Sequence, residues 1–361
     1  MSLRPFVLSA LALSAAAVAQ AQSSYNVYGV LDVTFGSFQL SALDGSNAGK
    51  RVTKVDGNQM ITSYLGFKGV EDLGGGMKAG FVLESFLRPD TGAYGRNNAT
   101  TNVVKDDLFW TRAANVYLQN GYGKLTLGRQ INLVYLQTVV YNPFGGAFGI
   151  APAIRLTFGP GTGNDRGDSG WSNAISYATP NLGGATFAAA YQPGEATDGS
   201  ERASYALSGN YASGPFAAGA SWQTVRSAEA PKLDLLKGQR QTFGLVNTSY
   251  DFGVAKVFAQ YGKISNSGYS AGARIDTNLF QLGASVPVTA SGKILASYGE
   301  SREKAVEGGT TPKTKHTILT VGYDHFLSKR TDVYTVVMHD KEKLPNFKSG
   351  TTYLVGVRHA F

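Results

Sequence analysis

The stretch Tyr25-Asn26-Val27-Tyr28-Gly29-Val30-Leu31-Asp32-Val33-Thr34-Phe35-Gly36-Ser37 changes character from one residue to the next. Val27, Gly29, Leu31, Val33 and Phe35 share one parity, and Tyr28, Asp32 and Thr34 share the other. Successive strand side chains point to opposite faces, so this is a strand with one apolar and one partly polar side. The pattern returns in Leu65, Phe67 and Gly69 against Tyr64, Gly66 and Lys68. It returns again in Phe81, Leu83 and Leu87 against Lys78, Glu84 and Arg88, and in Tyr353, Val355 and Val357 against Thr352 and Arg358. About sixteen such runs fill the chain, among them residues 77–88, 185–192, 216–226 and 254–264. No helical periodicity is sustained over ten residues, and no linker splits the chain into domains.

Outward from these strands, the connectors fall into two kinds. Some are tight and rich in Gly and Asn, such as Asn120-Gly121-Tyr122-Gly123 and Asp251-Phe252-Gly253, and suit turns that need positive φ. Others, near residues 42–59, 91–106, 228–238 and 306–312, are long and polar. The two kinds alternate.

The first 21 residues stand apart. Arg4, an apolar run from Phe6 to Ala19 and the small-residue site Ala19-Gln20-Ala21 read as a cleaved signal peptide, leaving residues 22–361 as one domain. The 361 residues include no Cys, so disulfides, thiolate nucleophiles and Cys metal sites are excluded. No later run approaches the ~18 apolar residues of a membrane helix. The net charge of +8 is scattered along the chain, and with export it argues against nucleic acid as a partner.

Both a sandwich and a barrel alternate. Polar groups recur on the second face of nearly every strand, and connector lengths alternate. Both features favour an all-β, antiparallel transmembrane barrel with apolar residues toward lipid and polar ones toward a wet lumen. Sixteen strands enclose an aqueous channel, where eight would be filled by side chains. The 19 Tyr and 19 Phe then serve as interfacial girdles. The terminal Phe361 shares parity with Val357, as an assembly signal of such barrels would.

The block Leu65-Gly66-Phe67-Lys68-Gly69-Val70-Glu71-Asp72-Leu73-Gly74-Gly75-Gly76 resembles a signature of the trimeric general diffusion porins of the Gram-negative outer membrane, especially the beta-proteobacterial type. Leu125-Thr126-Leu127-Gly128-Arg129-Gln130 and Asn173-Ala174-Ile175-Ser176-Tyr177 resemble the strands that enter and leave that family's third loop. The resemblance implies a 16-stranded homotrimeric barrel in outer-membrane lipid and lipopolysaccharide, with the third loop, about Ile131 to Gly170, folded into the pore. It implies no cofactor, no metal and no catalysis. Asn142-Pro143-Phe144-Gly145-Gly146 is similar to a Pro-Glu-Phe-Gly-Gly turn of that loop.

The departures from the family shape the expected constriction. Tyr64 stands where a wall arginine is usual, Arg112 is kept, and Gly170 or Trp171 replaces a third arginine, with Arg166 a few residues upstream. The loop lacks its Glu, and Arg155 is its one charge before Asp165. The expected lining is Tyr64, Lys68, Arg88, Arg112, Arg129, Arg155 and Trp171, facing only Asp32 and Glu84. Tyr135, Tyr141, Phe144, Phe148 and Phe158 are the loop aromatics, and packing against the wall is the plainer role for each. More cations than anions implies a modest anion preference. Trimer contacts are expected on outward faces, where Ala113 and Asn115 break the apolar pattern.

His316, His325, His339 and His359 show no metal-ligand spacing, and Asp324-His325 and His339-Asp340 are sequence neighbours that point apart on a strand. Passive diffusion of small hydrophilic solutes and ions is the leading reading. A selective channel for sugars or aromatic and organic acids is the alternative, and a barrel enzyme is the third.

Overall fold

The computed structural model describes residues 23–96, 108–158, 169–194, 203–226, 240–270, 273–307 and 314–361. Sixteen long strands follow one another: β1 (Ser24–Phe38), β2 (Tyr64–Gly74), β3 (Met77–Arg88), β4 (Ala113–Asn120), β5 (Gly123–Ile131), β6 (Gly170–Ala178), β7 (Ala185–Gln192), β8 (Ser204–Ser213), β9 (Phe216–Arg226), β10 (Arg240–Asp251), β11 (Lys256–Ser270), β12 (Ala273–Pro287), β13 (Gly292–Glu307), β14 (Lys315–Phe326), β15 (Thr331–Glu342) and β16 (Gly350–Ala360). Each pairs antiparallel with its neighbours in chain order, and β16 returns to β1. The seam runs from Val30↔Ala360 to Ser37↔Tyr353. The other edge of β1 is taken by β2 near its start, through Val27↔Phe67, and by a short strand Val52–Gly57 near its end, through Phe35↔Val55. The seam leaves no open edge, which a barrel in hydrocarbon requires.

Burial is inverted relative to a water-soluble domain, where apolar side chains are the covered ones. Phe35, Val116, Leu207 and Leu282 are all more than half exposed, whereas Asp32, Gln223, Gln281 and Thr320 are fully covered. The exposed large apolar residues hold one parity along each strand, here called the outer register. Two belts of aromatics lie on it: Tyr177, Tyr211, Phe216 and Tyr250 toward the short turns, and Tyr191, Tyr205, Trp222 and Tyr261 further up the wall. Among the described residues no helix is long and apolar enough to cross a membrane, so strands are the crossing elements.

Phe361 extends the seam. Its N–H and C=O both bond Gly29, at 3.1 and 3.2 Å. Its ring lies over Gly29, where a Cβ would come within 2.7 Å of the ring. Only glycine at that position lets the last side chain close against the first strand.

Three expectations need correction. Ala113 and Asn115 are on the inner register, because Ala113 pairs with Glu84 while Val116 and Leu118 are the exposed residues of β4. The connector after β1 is not wholly irregular, since it contains the strand Val52–Gly57. Alternation of connector length fails once: β11 runs to Ser270 and β12 starts at Ala273, after a register shift between Ile264 and Gly268. Residues 1–21 and Arg166 lie outside the described residues.

Candidate functional site

The described part of the segment between β5 and β6 carries two short helices, α1 (Leu133–Val140) and α2 (Pro152–Phe158). Asn132 caps α1: its Oδ1 accepts from the N–H groups of Val134 and Tyr135 at 2.8 and 3.1 Å. Its amide also donates to Gln223 Oε1 on β9 at 2.7 Å, which fixes where the helix starts on the wall. Asn142 organises the next turn by accepting from Phe144 N–H and donating to Gly145 C=O, each at 3.0 Å. Gly145 there adopts φ +54. Pro152 opens α2, at a position where a missing N–H costs nothing.

This segment packs on the inner register of β9 to β15. Gln260 on β11 donates to the carbonyls of Thr138 and Tyr141 at 3.1 and 2.6 Å, and Asn247 on β10 donates to Gln137 at 3.0 Å. Thr320 on β14 donates to Ile150 C=O at 2.7 Å. Ile150, Ile154, Leu156 and Phe144 are buried against Leu295, Ile318, Val336 and Met338 of the wall. Glycines make the approach possible. A Cβ at Gly283 would lie 2.7 Å from Pro143, and one at Gly299 would lie 2.7 Å from Pro152. Each large apolar side chain buried here contributes about 1.5–3 kcal/mol, which holds the loop without covalent links.

Arg155 on α2 ends in this seat. It donates to Gly149 C=O at 2.9 Å and pairs with Asp340 on β15 at 3.5 Å. The other oxygen of Asp340 meets His316 Nε2 at 2.6 Å. Burial pushes the Arg155 guanidinium down from its ordinary value, and the Asp340 carboxylate opposes that shift.

Facing the loop, a cavity of about 570 Å³ separates it from the first strands. Arg112, just before β4, is its centre of charge. Arg112 pairs with Glu84 on β3, and its guanidinium sits 4.0 Å above the Tyr64 ring and 5.9 Å from that of Phe86. Glu84 also accepts from Tyr28 Oη at 2.5 Å. Tyr28 in turn meets Tyr64 edge-on at 6.0 Å and holds Lys68 Nζ 4.5 Å over its ring. Lys50, Lys54 and Arg96 join Arg112 and Arg155 in lining the cavity, and Asp56 is the one acid among the described lining residues. Lys54 pairs with Asp56 at 2.7 Å.

The predicted residues are therefore sorted. Tyr64, Lys68, Glu84 and Arg112 come together at one wall. Tyr135 and Phe148 line the cavity beside Arg112 and Arg155. Tyr141 and Phe144 are buried in the loop's seat, and Phe158 packs between Tyr135 and Phe243 at 5.1 and 6.2 Å. Trp171 is buried with Ala174, Ala206 and Val225 and does not line the cavity. Asp32 accepts from the N–H groups of Met60 and Ile61 at 2.7 and 3.0 Å and from Tyr334 Oη, so it anchors the first loop. Arg129 pairs in register with Ala114 on the outer side and donates to Thr111 C=O and to Ser172 at 2.7 Å. Arg88 is on the inner register away from the cavity.

The residues that sequence reading missed are Lys50, Lys54, Asp56 and Arg96. The signal was faint: within a polar connector, Lys54 and Asp56 alternate with Thr53 and Val55. Pairing of Val52–Gly57 with β1 places Lys54 and Asp56 together on the cavity side.

A family model described as Gram-negative porin matches residues 8–344. Outer membrane porin protein 32 of Delftia acidovorans is 31% identical over 372 residues, covering 97% of each chain. An outer membrane porin protein of Bordetella pertussis is 26% identical, over 99% of this chain and all of that one. Among solved structures, an anion-selective porin from Comamonas acidovorans aligns with TM-score 0.76 and 27% identity, over 94% of this chain and all of the other. With that match spanning nearly the whole barrel, the chain belongs to the Gram-negative porin family and is a β-barrel channel of the outer membrane.

Proposed function

We propose that the barrel carries small hydrophilic solutes and ions by passive diffusion with a modest preference for anions, and that the segment Ile131–Gly170 forms its constriction. The observation that carries the reading is the lining of the cavity beside that segment. Among the described residues, Arg112, Arg155, Lys50, Lys54 and Arg96 face it, against the carboxylate of Asp56. Glu84 and Asp340 neutralise Arg112 and Arg155 in part, so the excess of positive charge is small and the preference modest. At physiological salt the Debye length is about 8 Å, comparable with a narrow pore's radius, so these charges act on a passing ion. The similar Comamonas protein is described as anion-selective, in keeping with this assignment.

Flux follows the solute gradient, and selection comes from pore width and wall charge. No bond is made or broken and no cofactor enters. The functional unit proposed is a homotrimer seated in outer-membrane lipid and lipopolysaccharide, secreted with cleavage after Ala21 and assembled through Phe361. The test is the reversal potential of the purified protein in a planar bilayer under a KCl gradient. A potential displaced toward that of chloride is expected, and one displaced toward that of potassium overturns the preference.

A further inference from the structure

We propose that the cavity beside the third loop binds an amphipathic organic monoanion, of the aryl carboxylate class, during its passage. The proposal rests on the channel reading above and deepens it by naming a solute.

A loop that only narrows a wet pore has no need of open apolar surface, yet α1 carries some. Leu136 and Val140 are 44% and 55% exposed, one helical turn apart on the same face, although the rest of the helix is anchored to the wall. Leu136 lines the cavity together with the rings of Phe38, Phe86 and Phe148. Cations stand directly beside two of these rings: Lys54 Nζ is 5.2 Å from the centre of Phe38, and Arg112 is 5.9 Å from that of Phe86. Apolar surface and positive charge thus alternate around one space of about 570 Å³.

That pairing selects by chemistry. An inorganic anion uses the cations and leaves the apolar surface wetted. A neutral aromatic covers the apolar surface and leaves the cations unused. A small aryl carboxylate does both in one pose, with its ring toward Leu136 and Phe148 and its carboxylate toward Arg112 and Lys54. The volume holds one such ring with water around it, which favours weak, reversible binding of the kind that conduction requires.

The experiment uses the full-length protein in a planar bilayer at low KCl and measures block of the ion current. Sodium benzoate is compared with sodium acetate, which has the charge without the ring, and with benzyl alcohol, which has the ring without the charge. Benzoate is expected to block saturably, with a half-blocking concentration about tenfold below that of acetate, from burial of the ring. Benzyl alcohol is expected to give no saturable block. In the variant Leu136→Ser, each current normalised to that variant's own KCl conductance, the advantage of benzoate over acetate is expected to fall severalfold. Equal block by benzoate and acetate, equal block by benzyl alcohol, or an undiminished ratio in Leu136→Ser overturns the proposal. So does block by glucose at the benzoate concentration, which would assign the cavity to sugars. A protein that conducts KCl and ignores benzoate overturns this proposal alone, whereas one that conducts nothing overturns the channel reading with it.

Discussion

Strands β1 to β4 and strands β9 to β15 turn the same register inward, yet the two arcs carry different side chains. The first arc and its loops present Arg112, Lys54 and Phe86 around an open cavity, with Tyr64 and the buried Glu84 packed against Arg112. The second presents Leu295, Ile318, Val336, Phe243 and Leu279, together with amides such as Gln260 and Asn247, all covered. The first arc meets water and the second meets the third loop. One side of the barrel interior has therefore become a core, and only the other keeps the chemistry of a pore wall. A loop without any carboxylate between Ile131 and Phe158 suits that task, because burying unpaired charge in the seat would cost several kcal/mol.

The contrast is broken most severely by emptying the seat. Ile154→Ala removes a fully buried side chain and should destabilise the loop's docking by about 2–5 kcal/mol. Noisy, enlarged single-channel conductance is expected, with protease cleavage between residues 131 and 158, while the barrel keeps its heat-modifiable migration on gels. A quiet, unaltered channel would mean that the seat does not hold the loop.

Leu319→Arg attacks the opposite face of β14, whose inner face belongs to the seat. Leu319 is on the outer register and nearly half exposed, next to the covered Ile318 and Thr320. Placing a cation toward lipid there should cost about 2–4 kcal/mol in denaturant titrations of the protein in vesicles. No loss would place Leu319 elsewhere than in hydrocarbon.

Arg155→Met tests the ion pair that ties α2 to β15. It removes the loop's ion pair with Asp340 but leaves His316 in place, so the expected loss is about 1–3 kcal/mol. Increased current noise with only a slight loss of anion preference is expected, because Arg155 is buried and Asp340 neutralises much of its charge. The smallest effect belongs to the open arc. Arg112→Gln, which leaves the loop's seat untouched, should lower the chloride-to-potassium permeability ratio by about twofold through loss of a wall charge within a Debye length of the ion.

Much of this fold is legible in the sequence. The alternation gives residues 77–88, 185–192 and 216–226 as strands, and β3, β7 and β9 have those same limits. Legibility fades where the inner face is itself apolar. Leu245 beside Val246, Ile264 after Lys263 and Met338 after Val337 blur the two-residue period. Their reason lies in a loop distant in sequence, which no local pattern reports. The site divides along the same line. Tyr64, Glu84 and Arg112 are found together because each sits on a strand with clear parity, or directly beside one. Asp32 carries suitable chemistry and parity, and Trp171 and Arg155 suitable chemistry, but their partners (the Met60 amide, Ala206 and Asp340) come from long-range packing. Lys50 and Arg96 lie in connectors, where composition says polar and nothing says toward which side.

The division of the interior into a wet arc and a covered arc is most directly tested by thiol labelling, since the chain has no cysteine of its own. Three single variants, Leu136→Cys, Ser297→Cys and Val337→Cys, sample the cavity, the seat beneath the loop and the outer face. A charged, water-borne methanethiosulfonate should cut the current of the first and leave the other two unchanged, and a lipid-soluble maleimide should reach the third. Reaction at Ser297→Cys as fast as at Leu136→Cys would contradict the account, because the seat would then be open water.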